Sequence, residues 1–389
     1  MIKFATKNSL MLLTLAGSMN LAGCNNPEVI TETNATTENI QPATEITKEP
    51  FGTTPDGQEV SLYTLTNGTG VVVKITNFGA IVTSVITPDK NDRMGDVVLG
   101  FNNVKGYIPN DPHIGGIIGR YANRIAKGRF TVEDQEYKLA TNNGDHHLHG
   151  GNIGFDRVVW QAETLPDQNA IRLTYVSKDQ EEGYPGNLTA VVTYTLTPDN
   201  GLRIDYTATT DKATPVNLTN HSYFDLSAGQ EKNILNNIVQ INAEKYTVPD
   251  KDLIPTGELA PVHGTPLDFT TPEPIGTRID NLQGYGYDLN YVINNGGEDL
   301  VHAATVYEPT TGRVMEVHTT QPGLQLYTAY HLDGSLKGKD NRPYNRYAGL
   351  CLEAQHFPDS PNKPNFPSTL LKPGDTYRET TIYKFAVRR

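Results

Sequence analysis

From about Phe51 onward the chain consists of short runs in which apolar and polar residues alternate. No dozen-residue stretch repeats its apolar positions at helical spacing. In "GVVVKITNFGAIVTSVITP", Val71, Val73 and Ile75 fall on one face, and Ile81, Thr83 and Val85 repeat the pattern. "IRLTYVS" and "LTAVVTYTLT" are β-branched runs, and "TLTPDNGLRIDYTATT" sets Asp-Asn-Gly between two alternating segments, a hairpin signal. The 35 Gly and 25 Pro suit many turns and few helices. Many short strands with few helices imply a sheet packed on a sheet, or a barrel. With no fixed repeat to suggest a propeller, the expectation is all-β: one large antiparallel β-sandwich, with two separate β domains as the alternative.

The first residues follow another rule. Lys3 and Lys7 precede the short apolar run "LMLLTLAG", which ends in "LAGC". That run is too short to span a bilayer as a mature helix. It resembles a bacterial lipoprotein signal, which implies cleavage before Cys24 and lipid on its thiol; a plain secretory signal is the alternative. Residues 1–23 are thus expected to be the signal. Residues 24–50, rich in Thr, Asn, Glu and Pro, are expected to be the lipidated Cys and a disordered tether, and 51–389 the folded domain. The protein would then be exported and lipid-anchored to a bacterial membrane, facing the periplasm. Cys351 is the other of the two cysteines, so lipidation of Cys24 would leave no intrachain disulfide.

A formal net charge of −12 argues against nucleic-acid binding, which needs clustered Lys and Arg. The 20 Tyr suit both strands and surfaces that meet polar ligands. Several strands carry polar residues where solvent is not the only reading. In "TPVNLTNHSYFDLS", Asn217, Thr219, His221 and Tyr223 alternate with Val216 and Leu218. In "AGLCLEAQHFPD", Cys351, Glu353 and Gln355 alternate with Leu350 and Leu352. A buried Glu is suited to proton transfer, although a Glu paired with Arg for structure fits the same pattern. "GRYANRI" holds Arg120, Asn123 and Arg124, "GYGYDLNY" holds Asp288, and "TTQPGLQLYT" holds Gln325. Many hydrogen-bonding side chains among aromatics, with no Gly-rich loop and no cationic cluster, suit a neutral sugar.

"HHLHGG" places three of the ten histidines within four positions. A closed zinc site needs three or four ligands at characteristic spacings. His147 and His149 would share a strand face, with His146 on the other, so no metal site is expected.

The set "GRYANRI", "LHGG", "NHSYFDL", "GYDLN", "QPGLQLYT", "LDGSLKGK" and "CLEAQHFPD", in that order from about Phe51 to Val387, resembles the aldose 1-epimerase (galactose mutarotase) family. The resemblance implies the galactose mutarotase-like supersandwich and cofactor-independent interconversion of the anomers of a free aldose, such as glucose or galactose. It implies His221 as general acid and Glu353 as general base. Asn123, Arg124, His149, Tyr223, Asp288 and Gln325 become the sugar-binding set. A carboxylate beside His221 is expected to raise its pKa. Two departures from the family pattern are Leu289, where many members have His, and Asp225, where Asn is usual. The alternatives are a lipid-anchored sugar-binding protein without catalysis, a two-carboxylate glycoside hydrolase, and a hexose-6-phosphate epimerase, which would need a basic phosphate pocket. A monomer is expected.

Overall fold

The computed structural model describes residues 44–109, 111–282 and 286–389. The expected signal, Cys24 and most of the expected tether lie outside the described residues. The described residues belong to one compact unit. Among the described residues the helical elements are three-residue 3-10 turns, and no helix is long and apolar enough to cross a membrane.

The strands form an antiparallel sandwich. One layer is a nine-stranded sheet, with Leu188–Leu196, Gly201–Thr210, Tyr377–Val387 and Arg313–Thr319 in its middle. Leu188–Leu196 alternates buried and half-buried positions along its whole length, as period-two patterning requires. It joins Gly201–Thr210 through a turn in which Asn200 takes φ +67°, the left-handed conformation Asn tolerates. Opposite lie two five-stranded sheets. The N-terminal one runs from Glu45–Thr53 to Met94–Asp96. The second, which carries the candidate site, has the order Pro255–Pro261, Lys245–Pro249, Asp288–Val292, Gly323–Tyr327, Cys351–Gln355. Val73 from the first, Leu324 and Leu352 from the second, and Val192 and Ile204 from the large sheet share one continuous apolar core.

The first strand opens at Glu45, ahead of the boundary at Phe51 expected from composition. It pairs with Glu59–Thr66 yet leaves most of its side chains exposed. Backbone hydrogen bonding, not side-chain burial, holds this edge strand, so its apolar content gave no sign of it.

The two five-stranded sheets meet through residues 216–226. Phe224 exchanges backbone hydrogen bonds with Leu350 (2.7 and 2.9 Å), and forms a bridge to Val98 of the N-terminal half. Residues 213–227 are buried throughout, so polar and apolar members alike are enclosed and the segment has no wet face.

On the strand Tyr377–Val387, burial pushes the Glu379 carboxyl up to about 7, against a hydrogen bond that Thr320 Oγ1 donates at 2.5 Å. The folded chain therefore holds a proton here that the unfolded chain releases. The resulting stabilisation is complete below the ordinary Glu pKa and is lost as pH rises through about 7. Glu379→Gln should flatten this decline, so that its Tm relative to the parent rises between pH 5 and 8; calorimetry across that range checks it.

Candidate active site

A polar cleft of about 460 Å³ opens over the second five-stranded sheet, within the size range of small-molecule sites. His113, Asn123, Arg124, His149, His221, Tyr223, Asp288, Gln325, Tyr327 and Glu353 are among its lining residues. All eight site residues expected from the sequence thus come together, although they lie far apart along the chain.

Strand pairing places the acids and amides. Gln325 lies opposite Glu353 on one neighbour and Asn290 on the other. Cys351–Gln355 is buried on both faces, with Leu352 and Ala354 in the core and Glu353 turned to the cleft. Asp288, at the start of its strand, accepts hydrogen bonds from Gln325 Nε2 (2.6 Å) and Tyr330 Oη (3.2 Å). Arg124 Nη2 lies 3.9 Å from Asp288 Oδ2.

At the cleft floor His221 Nε2 lies 3.6 Å from Glu353 Oε1. Both residues are buried, and Glu353 Oε2 has no hydrogen-bond partner among the described residues. Burial pushes His221 down to about 3 and Glu353 well up. This reverses the expectation that the carboxylate would raise the imidazole. Ionising both groups in a dry pocket costs more than one long contact returns, so the uncharged pair is favoured while the cleft is empty. Burial also holds the Cys351 thiol protonated, and its Sγ lies 3.5 Å from His221 Nδ1. An Nδ1–H donated to that sulfur leaves the Nε2 lone pair of the neutral ring facing Glu353, where it can take the carboxyl proton.

His149 is fixed as a donor. The Asn123 backbone N–H donates to its Nδ1 (3.2 Å), which leaves Nε2–H for the cleft, and burial holds the ring neutral. Asn123 and His149 both adopt left-handed backbones (φ +65° and +51°). Gly150 (φ +81°) packs so tightly that a Cβ would lie 1.9 Å from the Gly119 carbonyl oxygen. The other two histidines of the cluster are structural. His147 is buried between the Ala140 carbonyl (2.7 Å) and Tyr184 Oη (2.7 Å), and His146 Nδ1 accepts from the Lys127 N–H (3.1 Å). Both lie outside the "LHGG" match, and both are packed against the fold. Arg120 also stays out of the cleft, buried with its guanidinium on Ser177 and the Pro185 and Gly186 carbonyls.

Donor atoms of His149, His221 and Glu353 lie within 4.8 Å of one another, and this is the one group of three potential metal ligands among the described residues.

A family model described as aldose 1-epimerase matches residues 61–384. The chain belongs to the aldose 1-epimerase family. Galactose mutarotase from Homo sapiens is 44% identical over 344 residues, spanning 88% of this chain and 99% of that protein. Aldose 1-epimerase from Escherichia coli (strain K12) is 37% identical over 337 residues, 85% of this chain and 96% of that protein. The solved GalM/aldose epimerase homologue from C. elegans shares the fold with a TM-score of 0.79 at 26% identity, covering 89% of this chain and 100% of that one.

Neither departure from the family pattern lines the cleft. Leu289 pairs with Leu326 across the sheet. Asp225 accepts from Ser227 and Gly229 and lies 3.0 Å from Arg342. Three lining aromatics, His113, Tyr327 and His331, escaped the sequence reading. Tyr327 sits two residues after Gln325, on the same strand face, a signal that period two offered. His113, in "NDPHIGG", gave none.

Tyr223 stacks on His221 (ring centroids 5.1 Å apart, 24° between planes), and its hydroxyl donates to the Pro112 carbonyl at 2.8 Å. Its hydroxyl is therefore committed to the protein, and its ring supports the imidazole. Tyr223→Phe should lower stability by roughly 1 kcal/mol while sugar affinity changes less than about 2-fold; thermal melting and calorimetric titration check both.

Proposed function

We infer that the protein is an aldose 1-epimerase, a cofactor-independent isomerase that interconverts the α and β anomers of a free aldose by ring opening and reclosure. Within a chain of this family, the buried contact between His221 and Glu353 at the floor of a polar cleft carries this reading. Anomer exchange requires a proton taken from the C1 hydroxyl and one given to the ring oxygen. Rotation about C1–C2 in the open aldehyde exposes its other face, and closure reverses both transfers. We assign the ring-oxygen proton to His221 and the C1-hydroxyl proton to Glu353. The unpartnered Glu353 Oε2 is a natural acceptor for that hydroxyl. A hydrogen bond donated there favours the carboxylate, whose charge in turn favours a proton on His221, so sugar binding itself converts the neutral pair into its working form. Asn123, Arg124, His149, Asp288 and Gln325, together with the ring but not the hydroxyl of Tyr223, form the proposed sugar-binding set. His149 Nε2–H and Arg124 supply donors to oxygens on which charge develops.

Glu353→Gln and His221→Asn should each lower kcat by about 10²–10⁴-fold with KM within a few-fold. Polarimetry of freshly dissolved α-glucose and α-galactose measures this. Sugar binding without any acceleration by the unaltered protein would favour the binding-protein reading.

We further propose that the protein is exported and anchored to a bacterial membrane by lipid on Cys24, facing the periplasm, with residues 1–23 removed, and that it acts there as a monomer. The support is the order of Lys3, Lys7, the short apolar run and "LAGC". Cys24→Ser should move the protein from the membrane to the soluble fraction, with specific activity retained; fractionation with immunoblotting decides it.

A further inference from the structure

Four imidazoles line the cleft, and two of them, His113 and His331, belong to none of the family motifs. His113 is buried to 8% exposure and lines the cleft. Its Nδ1 lies 2.8 Å from Oδ2 of Asp156, a carboxyl group with no solvent exposure. Its ring lies 4.8 Å from that of His149 and 6.1 Å from that of His221.

The residue is held from several sides. Its backbone takes φ +58°, a left-handed conformation that a non-glycine residue rarely adopts and that needs its surroundings to sustain it. Its carbonyl accepts from the Gly116 N–H at 3.2 Å, and the preceding Pro112 carbonyl accepts the Tyr223 hydroxyl. Asp156 is walled in equally: a Cβ on Gly116 would lie 2.5 Å from its Cβ, and one on Gly154 would lie 2.9 Å from its Oδ1.

Hydrogen-bond supply in the cleft gives this arrangement a purpose. A sugar hydroxyl donates as well as accepts. His149 offers Nε2–H, and Arg124 can only donate. Both Asp288 oxygens already accept bonds within the protein, and Gln325 spends an N–H on one of them. Glu353 Oε2 is committed to the reacting C1 hydroxyl in the mechanism above. An acceptor on this donor-rich wall, beside His149, would serve a hydroxyl that has to donate. With its Nδ1–H given to Asp156, the His113 ring has a lone pair remaining on Nε2.

We propose that His113 is a substrate-contacting, specificity-determining residue that accepts a non-reacting hydroxyl of the bound aldose through Nε2, and that Asp156 is the positioning residue that fixes its tautomer. The proposal rests on the aldose 1-epimerase reading.

The test uses the full chain and anomer exchange of glucose, galactose and their monodeoxy analogues. His113→Phe should raise KM for the parent sugars by about 5- to 50-fold, the loss expected when a bound hydroxyl is left without its partner, and change kcat less than about 3-fold. One monodeoxy sugar, lacking the hydroxyl that His113 reads, should show nearly equal KM in the parent protein and the variant. His113→Gln, which keeps an acceptor oxygen, should recover part of the loss, and Asp156→Asn should fall between. Should His113→Phe fail to fold, His113→Gln and Asp156→Asn assayed against the deoxy panel give the same reading. Equal KM values for parent protein and variants on every sugar would overturn the proposal, as would a uniform loss of kcat with no dependence on which hydroxyl is missing. If the unaltered protein turned over no sugar, the enzyme reading would fail first. Calorimetric binding of the same sugars to the parent protein and His113→Phe would then test the contact by itself.

Discussion

The backbone bonds that tie residues 223–225 to residues 97–99 and to Leu350, next to a strand of each five-stranded sheet, are the constraint on which the site depends. Residues 216–226 do not form a long strand of either sheet; the only regular strand there is Thr219–Asn220. The segment is instead fixed by the Phe224–Leu350 exchange, by Leu99 N–H on the Tyr223 carbonyl and by Gly115 N–H on the His221 carbonyl. These bonds set His221 beside the strand that carries Glu353, which its register with Gly323–Tyr327 orients toward the cleft. Sheet pairing supplies one catalytic candidate and an irregular bridge supplies the other.

Burial then decides the electrostatics. His221, Glu353 and Cys351 are all driven toward their uncharged forms by loss of water, and the cleft avoids holding an unsolvated ion pair before sugar arrives. His149 is kept neutral by the same means, reinforced by Arg124 and the other imidazoles nearby. On the proposed mechanism, charge develops only once the substrate's hydroxyl groups are present to stabilise it.

Much of this was legible in the chain. Period-two alternation reports directly which strand residues face the core, so Leu188–Leu196 and Gly201–Thr210 could be read from it, hairpin included. The polar positions of Cys351–Gln355 were equally visible, because no solvated strand needs Leu352 and Ala354 around Glu353. Alternation failed at 213–227, where both faces are enclosed and parity carries no information. It failed again at Glu45–Thr53, where backbone bonding alone holds the strand. The His146–His149 cluster is the clearest case. Residues with one side-chain chemistry divide between structural hydrogen bonds and the cleft according to a local turn at His149 and the close packing of Gly150.

The sequence by itself determined the all-β architecture, the family and eight of the cleft residues, because hydrophobic period and local motifs are properties of neighbours along the chain. Only the tertiary structure decided that the proton of the His221–Glu353 pair is shaped by burial rather than by attraction, that the Tyr223 hydroxyl is already spent on Pro112, and that His113 belongs to the cleft through Asp156. Each of these depends on distances between residues remote in sequence and on how much water reaches them, quantities fixed only when the sheets close on one another.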